Sequence, residues 1–157
     1  MIRKLFNKEF PIKKTSMIKP KNIDINQKEN IQKKLINILK NENNILFSYL
    51  HGSFLKEVFR DIDLGIFLDI NLSKKKVLTY EISLEEKLSE VIPFPCDVRV
   101  INNAPLSFKF SVIKNGIILF SKDESKRSDF ESLTFVKYHD FDFYRNRYLR
   151  EAIGIKI

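Results

Sequence analysis

Residues 48–69 read SYLHGSFLKEVFRDIDLGIFLD, and this stretch decides the fold. An apolar run ends at Gly52-Ser53, and the next apolar run admits Asp61 and Asp63. Alternate residues of a strand share a face, so the two aspartates lie on one side together with Gly65 and Phe67. The other side is the predicted core face, and it carries Ile62, Leu64, Ile66 and Leu68. Charge is costly to bury unless it is paired or bound to a metal, so the two carboxylates predict a site for a divalent cation.

The rest of the pattern places this stretch inside an alternation of helices and strands. Short apolar runs predict four strands, at residues 45–50, 61–68, 96–101 and 117–120. Apolar residues at helical spacing predict a helix from Asn26, which Asp24 or Asn26 caps, then helices over residues 77–91 and 104–114, and one long helix or two helices after Phe130. The predicted fold class is therefore α+β: a mixed β-sheet of about four strands with helices packed on it, plus C-terminal helices.

The third predicted strand supplies another carboxylate. Cys96, Val98 and Val100 face the core, which leaves Asp97 and Arg99 on the opposite face. If this strand lies next to the second strand, Asp97 joins the aspartate pair. Three carboxylates on neighbouring strands form a site for hard cations such as Mg²⁺.

Gly52-Ser53 suits a phosphate group beside that metal. A glycine directly after a strand lets the backbone approach a phosphate, the N–H groups of a following helix point at the anion, and the Ser53 hydroxyl adds a donor. Arg99 and Arg60, and with less support Lys56, either contact phosphate or form salt bridges. His51 either contacts a phosphate or makes a local hydrogen bond. Gly65 either leaves room for a ligand against the sheet or marks a bulge.

Other residues of the same types have simpler interpretations. Asp140 and Asp142 repeat the Asp-x-Asp spacing, but they lie in a helical pattern without an upstream Gly-Ser, so we interpret them as a helix surface or cap. His139 lies among aromatic residues and is interpreted as structural. Cys96 is interpreted as a core residue.

The net charge of +8 is concentrated at the start of the chain. Residues 1–21 contain seven Lys or Arg and one Glu, and two prolines interrupt any regular pattern. We therefore divide the chain into a basic irregular segment, residues 1–25, and a domain, residues 26–157. The basic segment could contact nucleic acid, but a solvated arm is favoured because no aromatic stacking pattern accompanies the lysines. A single cysteine and the lack of a long apolar run predict a cytoplasmic protein that does not enter a membrane.

The motif HGSF…RDIDLGIFL followed by CDVRVI resembles the nucleotidyltransferase signature of the DNA polymerase β superfamily. The resemblance is firm over residues 47–101, looser towards the C terminus, and absent from residues 1–25. The small size is similar to the minimal nucleotidyltransferases (MNT), many of which are antitoxins paired with a HEPN ribonuclease toxin. The resemblance implies a nucleotidyltransferase-like sheet in which Asp61, Asp63 and Asp97 bind metal and Gly52 and Ser53 hold nucleotide phosphates. Only seven residues separate Ser53 from Asp61, fewer than in many members, which puts the form of the phosphate cradle in question.

Two classes of function follow. In the first, the protein is an Mg²⁺-dependent enzyme, with two ions, that moves AMP from ATP onto a hydroxyl. The resemblance implies a Tyr side chain of a HEPN toxin as the acceptor, while a small molecule or RNA is the alternative. Asp97 completes the second ion site and helps to deprotonate the acceptor. In the second class, the protein is an antitoxin that acts by contact alone through its aromatic C-terminal region. The chain lacks the Arg-x4–6-His motif of the toxin half.

Overall fold

The computed structural model describes residues 19–154. Most of the predicted N-terminal segment, residues 1–18, lies outside them, so its role stays a prediction. The described residues form four α-helices, four strands and one short 3-10 turn: α1 (Ile25–Lys40), β1 (Ile45–His51), the turn (Gly52–Leu55), β2 (Ile62–Leu68), α2 (Lys74–Ser89), β3 (Cys96–Val100), α3 (Leu106–Asn115), β4 (Ile117–Ser121) and α4 (Glu124–Ile153). The α+β fold class predicted from the pattern is confirmed. Within residues 19–154, no helix combines the length and apolarity needed to cross a bilayer.

The four strands form one mixed sheet in the order β3-β2-β1-β4. β1 runs antiparallel to both β2 and β4, whereas β2 and β3 are parallel. A parallel pair needs a crossover connection, and α2 provides it. Asp97 can join the aspartate pair only if β3 lies next to β2, and the observed strand order meets this condition.

Each face of the sheet packs against its own pair of helices. The alternation in β2 puts Ile62, Leu64, Ile66 and Leu68 into a core shared with α1 and α2. The opposite face carries a second, smaller core under α3 and α4, formed by Phe47, Tyr49, Ile101 and Val112, with Phe67, Phe108 and Phe130 packed against it. Asp63 lies on this second face, because side chains alternate between the two faces along β2.

The helix boundaries follow local capping chemistry. Asp24 caps α1: its Oδ1 accepts from the Gln27 backbone N–H at 2.8 Å, and the Gln27 side chain accepts from the Asp24 N–H at 3.1 Å. α3 begins at Leu106, two residues later than predicted, because Pro105 occupies the N-cap position. It ends at Asn115, one residue later than predicted, and Gly116 is the C-cap.

The C-terminal part is one helix of 30 residues, α4, and not a pair. Its first half docks on the sheet, where the Tyr49 hydroxyl donates to Glu131 at 2.5 Å and Arg127 donates to the same carboxylate at 2.6 Å. Its second half leaves aromatic side chains exposed, namely Phe141, Phe143, Tyr144 and Tyr148. Asp140 and Asp142 lie on this helix, as predicted.

Two glutamates of α2 close the free edge of the sheet. β3 is an edge strand, so alternate N–H groups point away from β2. The Val98 N–H donates to Glu85 Oε1 at 3.0 Å, and the Val100 N–H donates to Glu81 Oε1 at 2.8 Å. Glu81 is only 7% exposed. These bonds satisfy the edge and fix the strand that carries Asp97.

Candidate active site

Three polar side chains are in register on neighbouring strands. His51 of β1 is paired with Asp63 of β2, and Asp63 is paired with Asp97 of β3. Asp61 directly precedes β2, which starts at Ile62 and not at Asp61 as the pattern predicted. The Ile62 N–H donates to the Pro95 carbonyl at 2.9 Å and anchors this end of the strand. The sheet therefore brings the predicted aspartates to one end of one face.

The negative charges of this cluster act on one another. The pKa of Asp63 is raised to about 6, first by burial and then by the charges of Asp61 and Asp97. A hydrogen bond from the Ser53 backbone partly offsets this rise. A carboxyl group whose neighbours are also negative is stabilised when a cation is bound among them.

Gly52 brings the backbone into contact with this carboxylate. Its φ is +77°, a left-handed conformation that favours glycine. A Cβ at this position would lie 1.9 Å from Asp63 Oδ2. Both the conformation and the close approach therefore require a residue without a side chain.

The turn after Gly52 is short, as the close spacing of Ser53 and Asp61 requires. Gly52–Leu55 is a single 3-10 turn, so it does not present the row of N–H groups that a longer helix would aim at an anion. The Ser53 hydroxyl donates to Asp61 Oδ1 at 3.3 Å, and the Arg60 N–H donates to Ser53 Oγ at 3.4 Å. The few residues between Ser53 and Asp61 are enough to connect them because they do not form an α-helix.

The arginines occupy different positions around the cluster. Arg99 forms salt bridges on β3: its Nε lies 3.0 Å from Asp97 Oδ1, and its NH1 lies 3.9 Å from Glu81 Oε2. Its side chain is still 54% exposed. Arg60 is exposed and joins the cluster through its backbone N–H. Lys56 is exposed as well.

The carboxylates fit a metal that arrives together with its substrate. Asp97 Oδ1 is buried, and Arg99 Nε, which lies 3.0 Å from it, is not aligned for a hydrogen bond. A carboxylate oxygen in that state suits Mg²⁺, which takes oxygen ligands. Among residues 19–154, however, no three His, Cys, Asp or Glu side chains are close enough to hold an ion by themselves. Mg²⁺ usually keeps waters and substrate phosphates as further ligands, so the two observations agree.

Gly65 does not have either of the roles predicted for it. It continues a regular ladder between Tyr49 and Arg99, without a bulge or a positive φ. A Cβ here would lie 3.1 Å from Val112 Cγ1 and 3.2 Å from Ile101 Cγ2. The expectation that Gly65 opens the sheet to a ligand is therefore wrong, because α3 fills that space.

Two predicted minor roles and one missed feature complete the site. Burial, and then the charge of Glu85, raises the pKa of the Cys96 thiol to about 12, as expected for a packed residue and not for a nucleophile. Burial lowers the pKa of His51, so its ring is neutral at pH 7.

Sequence reasoning missed the role of Glu81 and Glu85. The signal was present, since Glu81 stands within the apolar stripe of α2.

A comparison with protein-family models matches residues 33–125 to the family described as polymerase beta, nucleotidyltransferase. The match covers more than half of the chain and includes every residue of the cluster. The chain belongs to the polymerase β nucleotidyltransferase family. The resemblance inferred from the motif is thereby confirmed. None of the curated proteins compared by sequence matches this nucleotidyltransferase.

The solved structures similar to this nucleotidyltransferase include MNT antitoxins in complex with HEPN toxins. One is a tri-AMPylated Shewanella oneidensis HEPN toxin in complex with its MNT antitoxin, with 19% identity and a TM-score of 0.63 over 80% of this chain and 98% of that chain. Another is the toxin–antitoxin complex MntA–HepT, with 19% identity and a TM-score of 0.61 over the same shares. A third is a toxin–antitoxin structure with AMP-PNP, with 19% identity and a TM-score of 0.63 over 78% of this chain and 98% of that chain. Likeness at this identity establishes a shared fold.

Proposed function

We propose that this nucleotidyltransferase transfers AMP from ATP to a hydroxyl group of a partner protein in an Mg²⁺-dependent reaction. The observation that carries the proposal is the pairing of Asp63 with Asp97 on adjacent parallel strands, with the Gly52 backbone against Asp63. Family membership supports nucleotidyl transfer in general. The AMP-PNP in one similar structure and the AMPylated toxin in another support the choice of AMP.

Each residue of the cluster has a role in this reaction. Asp61, Asp63 and Asp97 hold two Mg²⁺ ions, which when bound neutralise charge on the phosphates. Gly52 and Ser53 hold the phosphates through the backbone and the hydroxyl. Arg99, and Arg60 beside Ser53, add positive charge once phosphate competes with the salt bridge to Asp97.

The transfer step is an in-line displacement at phosphorus. The acceptor oxygen attacks the α-phosphorus of ATP, the bond from this phosphorus to the bridging oxygen of the β-phosphate breaks, and pyrophosphate leaves. Asp97 accepts the proton of the acceptor hydroxyl. The residues contribute mainly by positioning the reactants and stabilising charge.

The proposed partner is a HEPN-type ribonuclease toxin, and the proposed acceptor is a Tyr side chain, which makes this chain the antitoxin. The similar complexes support this choice, because their partners are HEPN toxins. The cytoplasm is the proposed compartment.

An antitoxin that acts by contact alone is the second candidate. The second half of α4 favours it, since Phe143, Tyr144 and Tyr148 are 64%, 67% and 61% exposed. Aromatic side chains at such exposure suit a protein interface.

The two candidates separate in a ribonuclease assay of the HEPN toxin after incubation with this chain. For the enzyme, inhibition requires Mg·ATP, persists after this chain is removed, and is lost in Asp61→Asn/Asp63→Asn. The matched control is Asp140→Asn/Asp142→Asn on α4, which keeps the Asp-x-Asp spacing outside the site and should inhibit like the wild type. Inhibition by the Asp61/Asp63 variant without ATP would instead establish the contact mechanism.

A further inference from the structure

The ring of His51 lies over β2, on the face of the sheet that carries Asp63. His51 stands at the end of β1 opposite Asp63. Its ring packs edge-on against Phe108, with the centroids 5.6 Å apart and the planes at 81°. Its Cδ2 lies 3.9 Å from the point that a Cβ of Gly65 would occupy, so the Cδ2–Nε2 side of the ring faces β2.

Two buried polar atoms without hydrogen-bond partners lie at this end of the sheet. They are His51 Nε2 and Asp97 Oδ1. Burial lowers the pKa of His51, and the negative charge of Asp97 partly offsets that shift. Asp97 Oδ1 still has the salt bridge to Arg99 Nε at 3.0 Å, whereas His51 Nε2 has no polar partner among the described residues. A buried polar atom without a partner is destabilising, so His51 Nε2, on the strand beside Asp63, calls for a functional explanation.

We propose that His51 is a positioning residue for Asp97, with its Nε2–H donating to Asp97 Oδ1 directly or through one water. This inference rests on the proposed nucleotidyl transfer. Arg99, the residue now paired with Asp97, is largely exposed and is the group expected to turn to phosphate. A donor from β1 then keeps the Asp97 carboxylate oriented after Arg99 has left it. If His51 only filled space beside Phe108, a phenylalanine would serve equally well.

Three variants test the proposal through transfer kinetics. His51→Phe keeps an aromatic ring against Phe108 and removes the N–H, whereas His51→Gln keeps an N–H donor. His139→Phe, the same substitution beside Phe110 on α4, is the matched control. We expect His51→Phe to lower kcat about tenfold to a hundredfold, as small misplacements of reacting groups do, with little change in the KM for ATP. His51→Gln should recover part of the loss, and His139→Phe should match the wild type. Unchanged kcat in His51→Phe, or no recovery in His51→Gln, would overturn the proposal.

A double-mutant cycle supplies a readout that does not require activity. The four proteins are wild type, His51→Phe, Asp97→Asn and the double variant, and the measurements are urea unfolding and calorimetric binding of Mg·AMP-PNP. We expect the substitution at His51 to have a smaller effect on both quantities when Asp97 is already changed. Strict additivity in both would overturn the proposal. Absence of transfer by the wild type would refute the proposed function, and the unfolding cycle would still decide whether His51 and Asp97 interact.

Discussion

Gly52 and Asp63 are in direct contact: a side chain on Gly52 would begin 1.9 Å from Asp63 Oδ2. The motif glycine and the motif aspartate are therefore parts of one unit. The backbone turns at a φ of +77° so that it can lie against the carboxylate. A change at Gly52 is consequently a change in the position of Asp63.

Gly52→Ala should both destabilise the protein and abolish binding of Mg·AMP-PNP. The left-handed conformation alone costs about 1–2 kcal/mol for a residue with a Cβ, and the clash displaces Asp63 in addition. Urea unfolding and calorimetry measure the two effects.

Gly154→Ala is the matched control for this variant. Gly154 ends α4 at a φ of +70°, but, apart from its immediate chain neighbours and the backbone of α4, no atom of residues 19–154 lies within 4 Å of a Cβ placed there. It should show the conformational cost alone, with nucleotide binding unchanged. If Gly52→Ala bound nucleotide like Gly154→Ala, the contact with Asp63 would be unimportant for the site.

The stability contributed by Asp63 should depend on pH. Its pKa is raised to about 6 in the folded protein, from a reference value of 3.8, so the folded state binds the proton more tightly. The resulting stability is present below the reference pKa and is lost as the pH rises through about 6. Asp63→Asn, which stays neutral, should therefore gain in melting temperature relative to the wild type as the pH is raised from about 4 to about 7. A difference that is constant across this range would contradict the raised pKa.

Gly65→Ala should destabilise the protein by overpacking, which costs about 1–3 kcal/mol. The new methyl group meets Val112 Cγ1 at 3.1 Å and Ile101 Cγ2 at 3.2 Å. Val112→Ala removes one of these neighbours, so the cost of Gly65→Ala measured by urea unfolding should be smaller in that background. An equal cost in both backgrounds would mean that the packing of α3 does not set the requirement for glycine.

Glu85→Ala should cost about 1–3 kcal/mol, because it leaves the Val98 N–H at the sheet edge without its acceptor. Glu86→Ala, an exposed position on the same helix, is the control and should be nearly neutral. Hydrogen exchange of the Val98 amide should also accelerate in Glu85→Ala alone. Similar exchange in the two variants would refute a role for Glu85 in closing the edge.

Much of the fold was predictable because two signals in this chain indicate the same elements. They are the spacing of the apolar residues and the positions of the residues that end helices and strands. The alternation in residues 62–68 separates core from site, and Gly116 stops α3 where the pattern ends. The pairing of Asp63 with Asp97 required only that the two strands be neighbours. These are properties of short segments, which a single sequence contains.

The features that could not be predicted depend on packing between distant elements. The sequence shows that Gly65 is small, but only the position of Val112 on α3 shows why. Glu81 and Glu85 accept hydrogen bonds from the edge of the sheet because α2 packs beside β3 and β3 is the edge strand. Likewise, the apolar spacing after Phe130 is the same for one long helix and for two helices. The contact between Tyr49 and Glu131 involves only the first half of α4, so it would not separate these alternatives either.

The most direct test of nucleotidyl transfer uses ATP labelled on either the α- or the γ-phosphate. The protein is incubated with Mg²⁺ and the HEPN toxin, and the label is followed in the toxin and in pyrophosphate. We predict that the α-label enters the toxin, that the γ-label leaves in pyrophosphate, and that Asp61→Asn/Asp63→Asn does neither. Transfer of the γ-label to the toxin, or transfer of the α-label by the Asp61/Asp63 variant at the wild-type rate, would contradict the account.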